Sequence, residues 1–133
     1  MKQHIAQIAL LVNDYEEAIK FYTEKLHFTL VENTILSNTK RWVIIAPPNS
    51  ENGCKILLAK AADENQKKFV GNQSGGRVFL FLHTDDFEST YNNLVENNIQ
   101  IIRKPAEETY GTVAVFADLY GNLWDLIEPK KSV

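Results

Sequence analysis

A short apolar strand, an acidic residue able to cap a helix, and an amphipathic helix follow one another twice in this chain, about 72 residues apart. The first copy lies in Ile5–Phe28, with its acidic cap at Asp14, and the second starts at Val78 and reaches its helix after Asp86. A repeat of this length predicts two supersecondary units that bury their apolar faces together and share a cavity where they meet. We therefore expect the functional site in that cavity.

Turn residues and strand-forming runs extend both copies in the same order. In the first copy, Asp14 and Glu17 form a capping-box pair, and a hairpin of Thr29–Ile35 and Arg41–Ala46 precedes a strand at Cys54–Ala59. The second copy is predicted to repeat this order, with a strand at 77–83, a helix at about 87–97, and strands near 99–103, 112–117 and 123–127. Each half is therefore β-α-β-β-β, and the fold class is α+β.

Length and composition predict a single domain over 1–133, with module 1 at about 1–60, a polar linker at 61–76 and module 2 at about 77–133. A chain of 133 residues with 44% hydrophobic side chains can bury a substantial core. The net charge of −3 and the lack of a Lys/Arg run argue against nucleic acid as a partner. With no apolar stretch of membrane-spanning length and no signal-peptide core, we expect a cytoplasmic protein without a membrane partner.

Alternation along the fifth strand separates two faces. The face suited to packing under helices carries Val78, Leu80 and Leu82, and the other carries Arg77, Phe79, Phe81 and His83. If the repeat is in register, residues of the first and last strands join this second face: Gln7, Ala9, Leu11, Leu123, Asp125 and Ile127. An apolar and aromatic surface with a few polar groups is typical of a small-molecule pocket.

The polar candidates each allow more than one interpretation. His83, at a strand end, is either a hydrogen-bonding loop residue or an acid–base group suited to proton transfer near neutral pH. Arg77 is solvated, pairs with Asp125, or grips an anionic group of a substrate. Arg41 in the third strand and Tyr110 at the entrance to the seventh are further candidates for substrate binding.

Two motifs carry a resemblance to a known family: Val12–Leu26 followed by Phe28, and Phe116–Leu126 with its turn at Gly121. Together with the two βαβββ units, they resemble the glyoxalase/bleomycin resistance/dioxygenase family, also called the vicinal oxygen chelate superfamily. The resemblance implies two tandem modules that form a cupped mixed sheet around a cavity, and it implies a homodimer. It covers essentially the whole chain and does not specify a reaction, because members include lyases, dioxygenases and antibiotic-sequestering proteins without chemistry.

The resemblance also implies a metal site with up to four ligands, taken from the first and last strands of each half. Gln7 and Asp125 stand at two of these positions. The strand Cys54–Ala59 offers no carboxylate, His or Gln, and the fifth-strand position falls on one of three residues that are poor ligands, Arg77, Val78 or Phe79. An amide and one carboxylate predict at most a weakly bound divalent metal, and the absence of any cofactor is favoured.

The sequence leaves two functional classes open. One is a glyoxalase-like enzyme, with Gln7 and Asp125 around a metal or a polarised water and His83 as acid or base. The other is a metal-free protein that binds a planar or aromatic molecule through Phe79 and Phe81, with Arg77 supplying charge. In both classes the partner is a small carbonyl or aromatic molecule.

Overall fold

The computed structural model describes residues 1–131, so residues 132 and 133, at the end of the predicted second module, lie outside the described residues. The chain divides into two compact units, the first Met1–Val70 and the second beginning at Gly71. The predicted linker at 61–76 is thus divided between the two units.

Both units contain four strands and at least one helix. The strands are β1 (Gln7–Val12), β2 (Thr29–Ile35), β3 (Arg41–Ala46), β4 (Lys55–Lys60), β5 (Val78–His83), β6 (Ile101–Glu108), β7 (Gly111–Ala117) and β8 (Leu123–Pro129). The helices are α1 (Tyr15–Lys20), continued by a π-helical segment (Phe21–Lys25), α2 (Glu64–Lys67) and α3 (Phe87–Glu96). None of the helices within residues 1–131 is long and apolar enough to cross a membrane.

Each unit builds one mixed sheet. The strand order is β1-β4-β3-β2 in the first unit and β5-β8-β7-β6 in the second. In each sheet the first strand runs parallel to the last, and the other pairs are antiparallel. Two four-stranded mixed sheets with the same order confirm the predicted α+β class and the two βαβββ modules.

The first sheet packs one face against α1. Arg41 of β3 forms an ion pair with Glu16 of α1, so this face carries the helix. Val43 and Ile45 alternate with Arg41 along β3 and are fully buried on the same face. Ala18, Tyr22 and Leu26 recur at helical spacing and are buried, so they form the apolar stripe of the amphipathic helix.

The end of the first helix departs from regular α-geometry. After α1 the chain continues as the π-helical segment, and His27 then adopts a φ of 60°, a left-handed conformation that usually favours Gly. The Phe28 amide donates to the Tyr22 carbonyl at 2.8 Å, which closes the end of the helix. His27 therefore ends this helix in a conformation that Gly usually supplies.

The second sheet packs one face against α3. The Glu128 carboxylate of β8 accepts from the Phe87 amide at the start of α3, at 2.8 Å. Trp124 shares the face of Glu128 by alternation, and it stacks on Phe116 of β7 with ring centroids 5.7 Å apart. Asp125 alternates with these residues and therefore lies on the face turned away from α3.

Candidate functional site

A row of four side chains crosses the second sheet on the face turned away from α3. Strand register places Phe81 of β5 beside Asp125 of β8. Asp125 in turn pairs with Val115 of β7, and Val115 pairs with Arg103 of β6. Residues paired in this way point to the same side of a sheet. We call this surface the Phe81 face and define it by Phe81, Asp125, Val115 and Arg103.

Phe81 is the most exposed apolar group of the Phe81 face. Its side chain is 62% exposed, whereas Val115 in the same row and Ile127 in β8 are buried. Covering a large, solvent-exposed aromatic ring with another apolar group is favourable, because it removes apolar surface from water. The exposed ring is therefore the feature of this face best suited to a ligand.

Asp125 is the acidic group of the Phe81 face, and two effects act on its ionisation. Burial raises the pKa of the Asp125 carboxyl above its ordinary value, and the positive charge of Arg103 lowers the pKa in part. Neighbouring strands lie about 4.8 Å apart, so the strands of Asp125 and Arg103 are separated by about 10 Å. The long Arg103 side chain can bridge this distance above Val115. The Phe81 face thus presents two polar groups: the Asp125 carboxyl, whose pKa is raised by burial, and the guanidinium of Arg103, which stays positively charged.

A tight turn fixes the start of β8 and thereby the position of Asp125. The Asp118 carboxylate accepts from the backbone amides of Tyr120, Gly121 and Asn122 at 2.9 to 3.0 Å, and its second oxygen accepts from the Asn122 side chain. Asp118 is buried, and these four bonds satisfy it without solvent. The conformation of the turn is therefore encoded locally, and Leu123 enters the sheet in a defined register.

The structure places four predicted site residues of the second unit along or near β5 and β7. His83 ends β5, pairs with Ile127 in register and is exposed on the side of Phe81. Phe79 is half-buried at an irregularity between Val78 and Leu80, where it has no register partner in β8. The strict alternation predicted for β5 thus fails there. Arg77 precedes β5 and Tyr110 precedes β7, and both are exposed.

Two predicted site residues belong to the first unit. Arg41 carries an ion pair with Glu16, and its guanidinium lies over the Tyr15 ring at 5.2 Å. Its charge is therefore engaged on the helix side of the sheet, and its role in substrate binding stays a prediction. Gln7 of β1 is half-buried beside Lys55, on the face turned away from α1.

The residues at the four metal positions of the resemblance do not fit a tightly held divalent ion. Ala9 lies 72 residues before Phe81 in the repeat; Ala9 pairs with Leu57, whereas Phe81 pairs with Asp125. Leu57 therefore occupies in the first unit the position of Asp125 in the second. Counting 72 residues places Phe79 at the position of Gln7, whereas the register places Val78 there, because Gln7 pairs with Lys55 and Val78 pairs with Leu123. Both candidates are hydrocarbon side chains. Each unit offers one oxygen donor and one hydrocarbon side chain, and residues 1–131 contain no group of three or more His, Cys, Asp or Glu able to hold a metal.

Arg103 was missed by the sequence reasoning. The predicted strand ended at 103, and Arg77 was considered as the partner of Asp125, whereas Arg103 is the cation that acts on this carboxyl. The register of β6 shifts on both sides of Arg103, between Ile101 and Arg103 and between Arg103 and Ala106. Counting by twos along the sequence does not predict the orientation of a residue between two such irregularities.

Comparison with known proteins agrees with the fold. Residues 4–126 match the family model described as Glyoxalase/Bleomycin resistance protein/Dioxygenase superfamily. An uncharacterized protein of Shewanella frigidimarina (strain NCIMB 400) is 57% identical over 129 residues, which cover 96% of this chain and 95% of that protein.

Two solved structures resemble the chain over nearly its full length. The structure of UcmS2 has 26% sequence identity and a TM-score of 0.83, covering 96% of this chain and 99% of that one. The structure of TnmS3, described as an antibiotic binding protein from Streptomyces sp. CB03234, has 25% identity and a TM-score of 0.77, covering 97% and 98%.

Proposed function

This chain belongs to the Glyoxalase/Bleomycin resistance protein/Dioxygenase superfamily, and we propose that it binds a planar aromatic molecule on the Phe81 face without a metal ion. The observation that carries the proposal is the exposed Phe81 ring, which stands in one row with Asp125 and Arg103. An apolar platform bordered by a few polar groups is the usual composition of a small-molecule site.

The ring of Phe81 supplies the main contact in this proposal. A planar ligand that stacks on it gains about 0.5–1.5 kcal/mol beyond the burial of apolar area. Phe79, half-buried in the same strand, is proposed to extend the aromatic contact. The small aliphatic side chain of Val115 leaves the surface next to Asp125 low enough for a flat molecule.

Arg103 gives the ligand its polar requirement. A guanidinium binds carboxylate or carbonyl oxygens with charge-assisted hydrogen bonds, and Asp125 beside it donates a hydrogen bond when it holds a proton. We therefore propose that the ligand carries oxygen substituents at one edge. Arg77 and Tyr110 are proposed as further contacts at the ends of β5 and β7.

The similarity to TnmS3 supports binding as the activity, because that protein is described as binding an antibiotic. The donor set also supports a metal-free site, since Leu57 and either Val78 or Phe79 replace oxygen or nitrogen ligands at two of the four positions. Binding by stacking and hydrogen bonds needs none of the missing ligands.

A titration with two matched probes tests the proposal. We expect 2-naphthoate to bind, as followed by amide shifts in NMR and by calorimetry, with the largest shifts in β5, β6 and β8. Phe81→Ala is expected to weaken binding about three- to tenfold, the factor that corresponds to one lost aromatic contact. Phe69→Ala is the matched control, because it removes a similarly exposed Phe from the other unit. Equal affinity in wild type and Phe81→Ala would contradict the proposal.

The neutral probe 2-naphthamide isolates the role of Arg103. Arg103→Gln is expected to remove the preference for 2-naphthoate over 2-naphthamide, while the affinity for the amide changes little. If the preference survives in Arg103→Gln and is lost in Arg77→Gln, Arg77 rather than Arg103 holds the charged edge of the ligand.

The raised pKa of Asp125 favours a second candidate function, acid–base catalysis at a carbon next to a carbonyl. In this candidate Asp125 and His83, which lie on one side of the second sheet, move the proton. The test is deuterium exchange from solvent into small ketones and aldehydes, followed by proton NMR. Exchange that is abolished by both Asp125→Asn and His83→Gln would establish catalysis, and no exchange above the buffer rate would leave binding alone.

We also propose a cytoplasmic homodimer with no nucleic-acid partner. The net charge of −3 argues against nucleic acid, and an exposed free Cys54 suits a reducing compartment. Cell fractionation and sedimentation velocity test the location and the dimer, respectively.

A further inference from the structure

The edge strand β2 is exposed along its whole length. It ends the first sheet, where it pairs with β3, and all seven of its residues are exposed. Four apolar side chains project from this segment and its extension, Leu30, Val31, Ile35 and Leu36. An exposed edge strand with apolar side chains is a template for pairing with another strand.

The equivalent edge of the second sheet is protected against such pairing. Strand β6 contains Pro105, which lacks an amide donor, and its register shifts at two places. Its exposed residues include Arg103 and Lys104, whose charges oppose burial in a sheet. Pro, irregular register and charge are the devices that keep edge strands unpaired. Strand β2 has no Pro, and Glu32 is its one charged residue. Its register with β3 shifts once, between Leu30 and Glu32, and is regular from Glu32 to Ile35.

The sequence of β2 is complementary to itself in one antiparallel register. With Asn33 opposite Asn33 of the partner subunit, Val31 faces Ile35 next to the irregularity that separates Leu30 from Glu32. Glu32 then faces Thr34, and these two side chains already hydrogen-bond within one chain at 3.2 Å. A register centred on Glu32 instead would set two carboxylates opposite each other, which is unfavourable.

We propose that β2 pairs with β2 of a second copy of this chain, antiparallel and around a two-fold axis at Asn33. The pairing joins the two first sheets into one continuous sheet and brings Val31 and Ile35 of the two copies together. A two-fold axis is the usual symmetry of a homodimer. The interface rests on the homodimer proposed above and is independent of the ligand site.

Charge substitutions at one facing pair test both the interface and its register. The double variant Val31→Lys/Ile35→Lys places like charges opposite each other twice, and we expect it to weaken dimerisation by at least about tenfold. The double variant Val31→Lys/Ile35→Glu places opposite charges there and is expected to restore most of the affinity. Ile102→Lys changes an exposed apolar residue of β6 and is the control that leaves the dimer intact. Sedimentation equilibrium gives the dissociation constants of wild type and of the three variants.

A disulfide provides a second measurement that does not depend on affinity. Paired Cα atoms in an antiparallel ladder lie about 4.5–5.5 Å apart, within the range that a disulfide spans. In a Cys54→Ser background, which removes the native thiol, Asn33→Cys is expected to form a linked dimer on mild oxidation. Thr34→Cys, which would face Glu32 rather than itself, is expected to remain unlinked.

Each outcome decides a separate claim. A wild-type chain that stays monomeric overturns the homodimer and this interface together. A dimer that tolerates both Lys substitutions overturns the β2 interface alone. If the Lys/Lys and Lys/Glu variants are weakened equally, the register at Asn33 is wrong. Loss of 2-naphthoate binding in a variant that still dimerises concerns the ligand site only.

Discussion

Arg103 acts on Asp125 from across one intervening strand, and the size of this effect can be measured directly. Because the cation lowers the pKa of Asp125, Arg103→Gln is expected to raise that pKa further above its ordinary value of 3.8. The measurement is a titration of the Asp125 carboxyl carbon by NMR. Arg77→Gln is the matched control and is expected to leave the titration unchanged. A larger rise in the control would restore Arg77 as the partner of Asp125.

The raised pKa of Asp125 also links stability to pH. Folding favours the protonated carboxyl, so stability from this group is complete below 3.8 and is lost as pH rises through the raised pKa. Asp125→Asn removes the cost of burying the charge. We expect the variant to unfold at higher urea concentration than wild type at pH 7, with the difference vanishing below pH 3.8. A difference that is constant from pH 3.5 to 7 would contradict burial as the cause.

Individual residues of the Phe81 face differ in how well the sequence predicts them. The orientation of Phe81 and Asp125 follows from alternation and from the repeat, and the register pairs them. Their role in binding stays a prediction. Phe79 could not be oriented in this way, because the β5 irregularity interrupts the alternation that the prediction assumes. The length of β6 and the placement of Arg103 within it depend on the whole sheet.

The turn between β7 and β8 also packs closely against the segment that leads into β5. Gly71 has a φ of 79°, and a Cβ placed there would lie 1.9 Å from the Tyr120 carbonyl oxygen. Gly75 has a similar φ of 69° but has no atom within 4 Å of such a Cβ. Both glycines therefore adopt a left-handed conformation, but only Gly71 lacks room for a side chain.

Alanine at these two positions separates the conformational cost from the steric cost. Gly75→Ala is expected to destabilise by about 1 kcal/mol, the cost of a left-handed conformation. Gly71→Ala is expected to cost a further 1–3 kcal/mol or so, because the backbone of Tyr120 must move. Urea unfolding of the two variants gives the comparison. Equal losses would mean that the turn shifts without resistance.

The order of the eight strands and of the helix in each copy was predictable, and several of their limits were not. The first helix changes from α to π geometry at Phe21, and the π-helical segment ends at Lys25, before the left-handed His27. Strand β6 continues through Pro105 to Glu108, although the prediction ended it at 103. Pro is compatible with an edge strand, because the missing amide points away from the neighbouring strand. Strand order in the sheet therefore decides this boundary.

The two units repeat one topology and differ in the chemistry of the face turned away from the helix. Where the second unit carries Asp125, the first carries Leu57, and where the first carries Gln7, the second carries Val78 or Phe79. The fold was predictable because both copies keep the apolar pattern of their buried faces. The chemical identity of the ligand was not predictable, because hydrocarbon side chains replace the oxygen or nitrogen donors that would specify a metal chemistry.

Removal of metal from the intact protein tests whether the ligand binds without an ion. Metal-free binding predicts that EDTA leaves the rise in Tm produced by 2-naphthoate unchanged, since stacking and hydrogen bonds require no ion.

Metal content gives a second measurement. After incubation with nickel, zinc, manganese or iron(II) and gel filtration, we expect metal well below one equivalent per chain, in wild type and in Asp125→Ala alike. If wild type instead holds nearly one equivalent of metal and Asp125→Ala loses it, Asp125 holds an ion. If EDTA also abolishes 2-naphthoate binding, that ion lies in the ligand site. Unchanged binding together with low metal content would leave the exposed ring of Phe81 and the charge of Arg103 as the groups that hold the ligand.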